Sequence, residues 1–176
     1  MAGTGACPRQ VAPAADAPRR EKKRPPHQRT LAFRLSQLRA KGLVLTVISF
    51  SVPGVPVGKG RARFVRETGR IYTPAKTSAY EIQVRVAAMQ AMAGRRPFAV
   101  ACAVRIDAWV PVPPSWSRKK RAAAFDGTLP PTGRPDLDNH VKLVLDACNG
   151  VVFNDDRQVV EIAARKGFAA PPGLVV

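Results

Sequence analysis

Four aspartates occur in two short clusters, and clustered carboxylates are typical ligands of a divalent metal ion. Asp136 and Asp138 lie in the segment Arg-Pro-Asp-Leu-Asp-Asn-His-Val-Lys (134–142), and Asp155 and Asp156 follow. Each pair also has an ordinary structural interpretation, because an aspartate caps a helix start or stabilises a turn. If the two pairs meet in the fold, their hard oxygen atoms favour Mg²⁺, with Mn²⁺ as the alternative, over zinc.

Lys142 follows Asp138 by four residues, which is one turn of a helix. On a helix the two side chains would face the same site, where the ammonium group would orient a phosphate or stabilise developing charge. The alternative is an ordinary salt bridge between the two residues. His140 has no second histidine at the sequence spacing that is typical of metal ligands, and we predict that it is a surface histidine.

The charge balance predicts a polyanionic partner. The chain has 29 Lys and Arg against 12 Asp and Glu, for a formal net charge of +17, and clustered cations bind a phosphate backbone by releasing its counterions. Acids grouped within a basic protein indicate metal-dependent cleavage of nucleic acid. The predicted phosphate contacts are Lys59, Arg61, Arg63, Lys76, Arg118, Lys119, Lys120 and Arg134. The chain contains no Gly-x-x-x-x-Gly-Lys-Ser/Thr loop, so no nucleotide cofactor is predicted.

The composition divides the chain into two parts. Residues 1–42 are rich in Ala, Pro and Arg and hold ten basic residues against two acids, which predicts a disordered basic tail. A transit peptide and a start codon placed too far upstream are the alternatives. Residues 43–176 are predicted to form one folded domain. Because no apolar run reaches the length of a membrane span, we expect a soluble, cytoplasmic protein.

Periodicity predicts a single α+β domain in which helices pack on a mixed β-sheet. The predicted strands are 43–50, a hairpin around the turn at 67–70, 99–110 and 159–168, with 52–60 as a loop. The predicted helices are 74–93, 117–127 and 136–149. The last of these advances about 18 Å, and the span from Gly150 to Asp155 reaches at most about 20 Å. The second acid pair can therefore return to the helix start only by running straight back.

Two sequence blocks resemble the RusA family of Holliday-junction resolvases, which are phage- and prophage-associated endonucleases. The first joins 134–142 to Leu-Asp-Ala-Cys-Asn-Gly (145–150) and to Asp-Asp-Arg-Gln-Val-Val (155–160). The second joins Gly-Arg-Ala-Arg-Phe (60–64) to Tyr-Thr-Pro-Ala-Lys-Thr (72–77) and to the pair Tyr80 and Glu81. Together they cover about 43–168, and their order and spacing are specific.

The resemblance implies a homodimer that binds a four-way DNA junction and nicks two symmetric strands with the help of Mg²⁺. By motif, Asp136, Asp138 and Asp156 correspond to the essential acids, Asp155 to an acid of lesser importance, and Lys142 to the catalytic lysine. Pro135 departs from the pattern, since some members have a basic residue there.

Two rival functions use the same residues differently. One is another metal-dependent nuclease, acting on flaps, other branched DNA or RNA. The other is a non-catalytic basic DNA-binding protein whose acids are only caps and turns.

Overall fold

A computed structural model describes residues 46–176 of the chain. The predicted tail at 1–42 and the first residues of the predicted strand 43–50 lie outside this range. The strands are β1 (Ser51–Pro53), β2 (Arg63–Val65), β3 (Arg70–Tyr72), β4 (Cys102–Val110), β5 (Val159–Phe168) and β6 (Gly173–Val175). The helices are α1 (Ala75–Met92), α2 (Arg118–Phe125) and α3 (Leu137–Cys148), with a short 3₁₀ helix at Asp156–Gln158.

Four of the strands form one mixed sheet in the order β1-β6-β4-β5, and β2 and β3 form a separate hairpin. β4 and β5 are parallel, whereas β6 is antiparallel to both β4 and β1. A parallel pair needs a long crossover connection, and here α2 and α3 supply it. The α+β class with a mixed sheet packed by helices is therefore confirmed.

One core joins the helices to the sheet. Val84 of α1, Ile106 of β4 and Leu143 of α3 are fully buried and belong to the same apolar cluster. Cys148 is buried in this cluster, and Cys102 packs against it. None of the helices in residues 46–176 is long and apolar enough to cross a membrane.

The predictions for one side of the sheet, which β1 and β6 form, were wrong. β1 lies at 51–53, overlapping the loop predicted at 52–60. Of the described residues 46–50 in the predicted strand 43–50, only Phe50 pairs with the sheet through its backbone, its N–H and carbonyl group bonding to Val176 at 3.0 Å. β6 was not predicted at all. Both strands are three residues long, so they carry too little periodicity to be recognised, and it is their pairing with each other and with β4 that makes them strands.

Two polar residues are more buried than the sequence indicated. Asp107 is a charged residue of β4, yet it is only 8% exposed and is paired with Arg165 at 2.6 Å and Arg105 at 3.2 Å. His140 was predicted to lie on the surface, which is wrong, because it is 1% exposed. It lies among the core residues of α3, with Leu143 and Val144, so helical phase places it inward.

Candidate metal and nucleic-acid site

An open cleft of about 750 Å³ brings the first acid cluster together with basic side chains. One wall is the loop at 58–61, and the other is the start of α3 with the loop before it. The lining residues are Gly58, Lys59, Gly60, Arg61, Arg134, Pro135, Asp136, Asp138, Asn139 and Lys142.

The carboxylate of Asp136 does not act as a helix cap, although the residue occupies the N-cap position of α3. Its backbone is extended and its side chain accepts no capping hydrogen bond. An aspartate at this position normally stabilises a helix by accepting a backbone N–H bond. Within the described chain this carboxylate also has no ion-pair partner, so it lies in the cleft unpaired.

Asp138 lies in the first turn of α3 and accepts a hydrogen bond from the Nζ of Lys142 at 3.2 Å. The two side chains are 63% and 64% exposed. Exposed i,i+4 pairs of this kind stabilise a helix by only about 0.3–0.5 kcal/mol. A phosphate or a metal ion that enters the cleft can therefore separate them at little cost.

Lys166 of β5 holds the loop that precedes these acids. Its Nζ donates to the carbonyl oxygens of Gly133 at 2.7 Å and Pro135 at 2.9 Å. These two bonds tie the residues on either side of Arg134 to the sheet. Lys166 was not among the predicted site residues, since nothing in its local sequence distinguishes it from a surface lysine.

The opposite wall approaches α3 so closely that it requires glycine. A Cβ atom on Gly58 would lie 2.7 Å from the Cβ of Pro135 and 3.0 Å from the Cβ of Asn139. The next residue, Lys59, donates its N–H to the carbonyl of Asn139 at 2.8 Å. At Gly60, the N–H donates to the hydroxyl of Thr77 at 3.3 Å. The loop is thus fixed to both helices.

The ammonium group of Lys59, which lines the cleft, is paired with two carboxylates. Its Nζ lies 2.7 Å from Glu81 of α1 and 2.7 Å from Asp146 of α3. Burial acts to lower the pKa of Lys59, but the hydrogen bonds to Asp146 and Glu81 outweigh it and raise the pKa above its usual value. The structure therefore places this predicted phosphate contact in an internal bridge. Asp146 was not recognised as its partner, because the pairing joins distant parts of the chain.

The second acid cluster lies at the other end of the sheet. Asp155 caps the 3₁₀ helix, accepting from the N–H of Arg157 at 3.0 Å, and Gln158 completes the capping box. The carboxylate of Asp156 is exposed and has no partner within 46–176. The amide of Gln158 donates to the carbonyl of Val100 at 3.2 Å, just before β4 begins.

One chain does not bring the two clusters together. Val159, next to the second cluster, and Lys166, next to the first, are seven residues apart on β5, which corresponds to about 23 Å. After α3 the chain does not run straight back along the helix, because Gly150 bonds to Phe153 and Asn154 bonds to Phe98 near the helix end. Across residues 46–176, no three Asp, Glu, His or Cys side chains are close enough to form a metal site.

The remaining predicted phosphate contacts are exposed. Arg61 and Arg134 line the cleft, and neither has an ion-pair partner in the structured region. Arg63 of the hairpin and Lys76 at the start of α1 are likewise exposed, as are Arg118, Lys119 and Lys120 of α2. The Nζ of Lys120 lies 4.0 Å from the ring centre of Trp116. The cleft therefore retains two unpaired arginines of its own.

His140 lies directly behind the acid-bearing turn. Neither of its ring nitrogens has a hydrogen-bond partner among the described residues. Burial, and then the positive charge of Lys166, lower the pKa of His140, and the backbone of Val57 only partly opposes this effect. The imidazole therefore packs in the core behind the cleft and is not among the residues that line it.

The side chains of the cleft fit a magnesium ion. Mg²⁺ in enzymes is commonly bound by one or two carboxylates, together with waters and substrate phosphate. Asp136 and Asp138 supply two carboxylates at an open surface, whereas sulfur ligands are absent from the cleft lining. The oxygen donors of Asp136 and Asp138 are therefore compatible with a hard divalent cation.

Comparison with known proteins agrees with these features. Residues 53–176 match the family described as "Endodeoxyribonuclease RusA". The chain is also 35% identical over 136 residues to the "Uncharacterized protein YqaN" of Bacillus subtilis (strain 168), covering 73% of this chain and 93% of that protein. The match to the family spans both walls of the cleft.

Proposed function

The chain belongs to the RusA family of endodeoxyribonucleases, and we propose that it resolves four-way DNA junctions by nicking two symmetric strands in a Mg²⁺-dependent reaction. Mn²⁺ is the alternative ion. The reaction would take place on branched DNA in the cytoplasm. The observation that carries this proposal is the unpaired carboxylate of Asp136, which lies with Asp138 and Lys142 in a cleft that also contains free arginines. A protein that only bound DNA would gain nothing from an uncapped, unpaired acid beside the phosphate backbone.

In this proposal the residues of the cleft have separate roles. Asp136 and Asp138 would hold the metal ion, which when bound would supply an activated water and neutralise charge on the phosphodiester. Arg61 and Arg134, on opposite walls, contact the phosphates on either side of the bond to be cut. Lys142 leaves its weak pair with Asp138 and places its ammonium group on the phosphate under attack, where positive charge stabilises the transition state.

A homodimer accounts for the second acid pair. Asp155 and Asp156 lie about 23 Å along β5 from the cleft of their own chain, yet the sequence motif groups Asp156 with the essential acids. A second copy of the chain can deliver them to the cleft, which one chain cannot do. A twofold dimer also matches the near-twofold symmetry of a four-way junction and presents one cleft to each strand.

Cleavage of a labelled synthetic four-way junction tests the proposal. Duplex and flap DNA serve as substrate controls, Mg²⁺ is compared with EDTA, and wild type is compared with Asp138→Asn. We expect paired, symmetric nicks on the junction, lost in EDTA and in the variant.

Two results would contradict the proposal. Equal cutting of all three substrates would indicate a general nuclease. Tight junction binding without cutting by folded wild type would indicate a non-catalytic DNA-binding protein.

A further inference from the structure

Helix α1 is apolar on two opposite faces, of which only one is buried. Tyr80, Val84 and Ala88 face the core. The other face carries Ile82, Val86 and Met89, whose exposed fractions are 61%, 45% and 56%. A helix that is apolar all round is normally buried all round, so the second face lacks a partner among residues 46–176.

The exposed face has the spacing of a helix-pairing surface. Its members, here called the apolar seam, are Ala75, Ala79, Ile82, Val86, Met89 and Ala93, all exposed. Their separations alternate between four and three residues, the a and d repeat by which helices pack side by side. The seam contains no cation, so a phosphate backbone is not its partner.

We propose that the apolar seam is the homodimer interface, and that α1 of one chain packs antiparallel on α1 of the second. This inference rests on the homodimeric nuclease proposed above and specifies which surface forms the dimer. Its basis is that the seam is complementary to a second copy of itself when the two helices run in opposite directions. The helices are then related by a twofold axis at the level of Val84. Ile82 then faces Val86 of the other copy, the small Ala79 faces the long Met89, and Ala75 faces Ala93.

The residues beside the seam allow this approach. Gln83 and Gln90 flank the centre of one side and are uncharged, and the one cation on that side of the helix, Lys76, lies at the end of the seam. On the other side Arg85 is turned back onto its own chain, where its Nη1 donates to the carbonyl of Asn149 at 3.1 Å. No like charges are therefore forced together at the centre, and the polar flanks supply the rim that interfaces usually have.

The antiparallel direction also suits the two acid clusters. α1 and α3 run side by side in the same direction, because Lys59 joins Glu81 to Asp146 and Arg85 reaches Asn149 at the far end of α3. The cleft lies near the start of α1, and Asp155 lies near the other end. When the second copy of α1 runs in the opposite direction, Asp155 of that copy lies on the same side of the dimer as the cleft of the first copy. A parallel arrangement would instead set like ends together.

The mass of the full chain in solution tests the interface. Wild type should sediment as a dimer of twice 19.0 kDa. Ile82→Lys and Val86→Glu should each raise the dimer dissociation constant at least about 100-fold, because each buries a charge against an apolar partner. Both positions are exposed in the single chain, so circular dichroism should show unchanged folding.

Charge pairing tests the register. The double variant Ile82→Lys/Val86→Glu and an equal mixture of the two single variants should both form dimers again, since lysine then faces glutamate across the interface. Val160→Glu is the matched control, as Val160 is 71% exposed but lies on β5; it should remain a dimer.

Three results would overturn the inference. Dimers that survive both single substitutions would exclude the seam while leaving the nuclease proposal intact. Monomers in the double variant and in the mixture would exclude the antiparallel register. A monomeric wild type would exclude the homodimer altogether, and the cleavage assay on junctions would then decide the nuclease activity separately.

Discussion

The N–H of Lys59 donates to the carbonyl of Asn139 at 2.8 Å, so the basic loop and the acid-bearing helix are hydrogen-bonded to each other across one cleft. This bond is possible only because the preceding residue is glycine. Two sequence segments that lie about 80 residues apart thereby present Arg61 and Asp138 to the same volume.

Gly58→Ala should damage the cleft. The added methyl group would meet the Cβ of Pro135 at 2.7 Å, and overpacking of this kind costs about 1–3 kcal/mol. We expect a lower melting temperature and reduced junction cleavage. Gly133→Ala is the control, because a Cβ there meets nothing within 4 Å, and it should match wild type. Equal behaviour of the two variants would show that the walls do not pack as closely as described.

Asp136→Asn should abolish cleavage without weakening junction binding. The carboxylate makes no capping bond, so its loss should change the free energy of unfolding by less than about 0.5 kcal/mol. Asp126→Asn, in an exposed turn on the far side of α2, should cleave normally. Strong destabilisation by Asp136→Asn, measured by urea unfolding, would instead assign this residue a structural role.

Lys142→Ala should lose cleavage while retaining the fold and junction binding. Its pair with Asp138 is exposed and weak, so stability should change little, whereas loss of a charge that stabilises the transition state costs about 100- to 1,000-fold in rate. Single-turnover cleavage and gel-shift binding separate the two effects. Lys142→Arg, which keeps the charge, should recover part of the rate. A variant that neither folds nor binds would make Lys142 structural.

The salt dependence of DNA binding should distinguish free from paired cations. Each phosphate contact contributes about 0.9 to the slope of log K against log salt. Arg61→Gln and Arg134→Gln should therefore each reduce the slope by about one unit. Lys59→Gln should leave it unchanged, because its ammonium group is held by Glu81 and Asp146. A reduced slope in Lys59→Gln would mean that this bridge opens on DNA.

The Lys59 bridge should stabilise the fold in a pH-dependent way. Its pKa is raised in the folded state, so its contribution is present below the unfolded pKa of about 10.4 and is lost as pH rises through the folded value. Lys59→Met should lower the free energy of unfolding by about 1–2 kcal/mol at pH 8, and the difference from wild type should shrink above pH 10.5. Lys142→Met is the matched control and should change stability by no more than about 0.5 kcal/mol. A difference that persists at high pH would contradict the ionic role.

Long elements were predictable because their periodicity repeats over several turns or pleats. The helix predicted at 74–93 is found at Ala75–Met92, and the strand predicted at 159–168 is found at Val159–Phe168. The spacing of the apolar residues in these segments depends on the local geometry of a helix or strand. It is therefore the same in whichever way the elements pack together. β1 and β6 were mispredicted or missed because three-residue strands exist only through their pairing partners.

The sequence by itself determined the candidate groups: four aspartates in two clusters, a lysine four residues after Asp138, and a large excess of positive charge in the chain. The tertiary structure decided which of these groups share a cleft. It placed Asp136 and Asp138 with Arg61 and Arg134, turned Lys59 inward to Glu81 and Asp146, and left Asp155 and Asp156 at the far end of β5. The physical reason is that residue type and spacing are local, whereas the direction in which α3 returns to the sheet is set by packing between segments far apart in the chain.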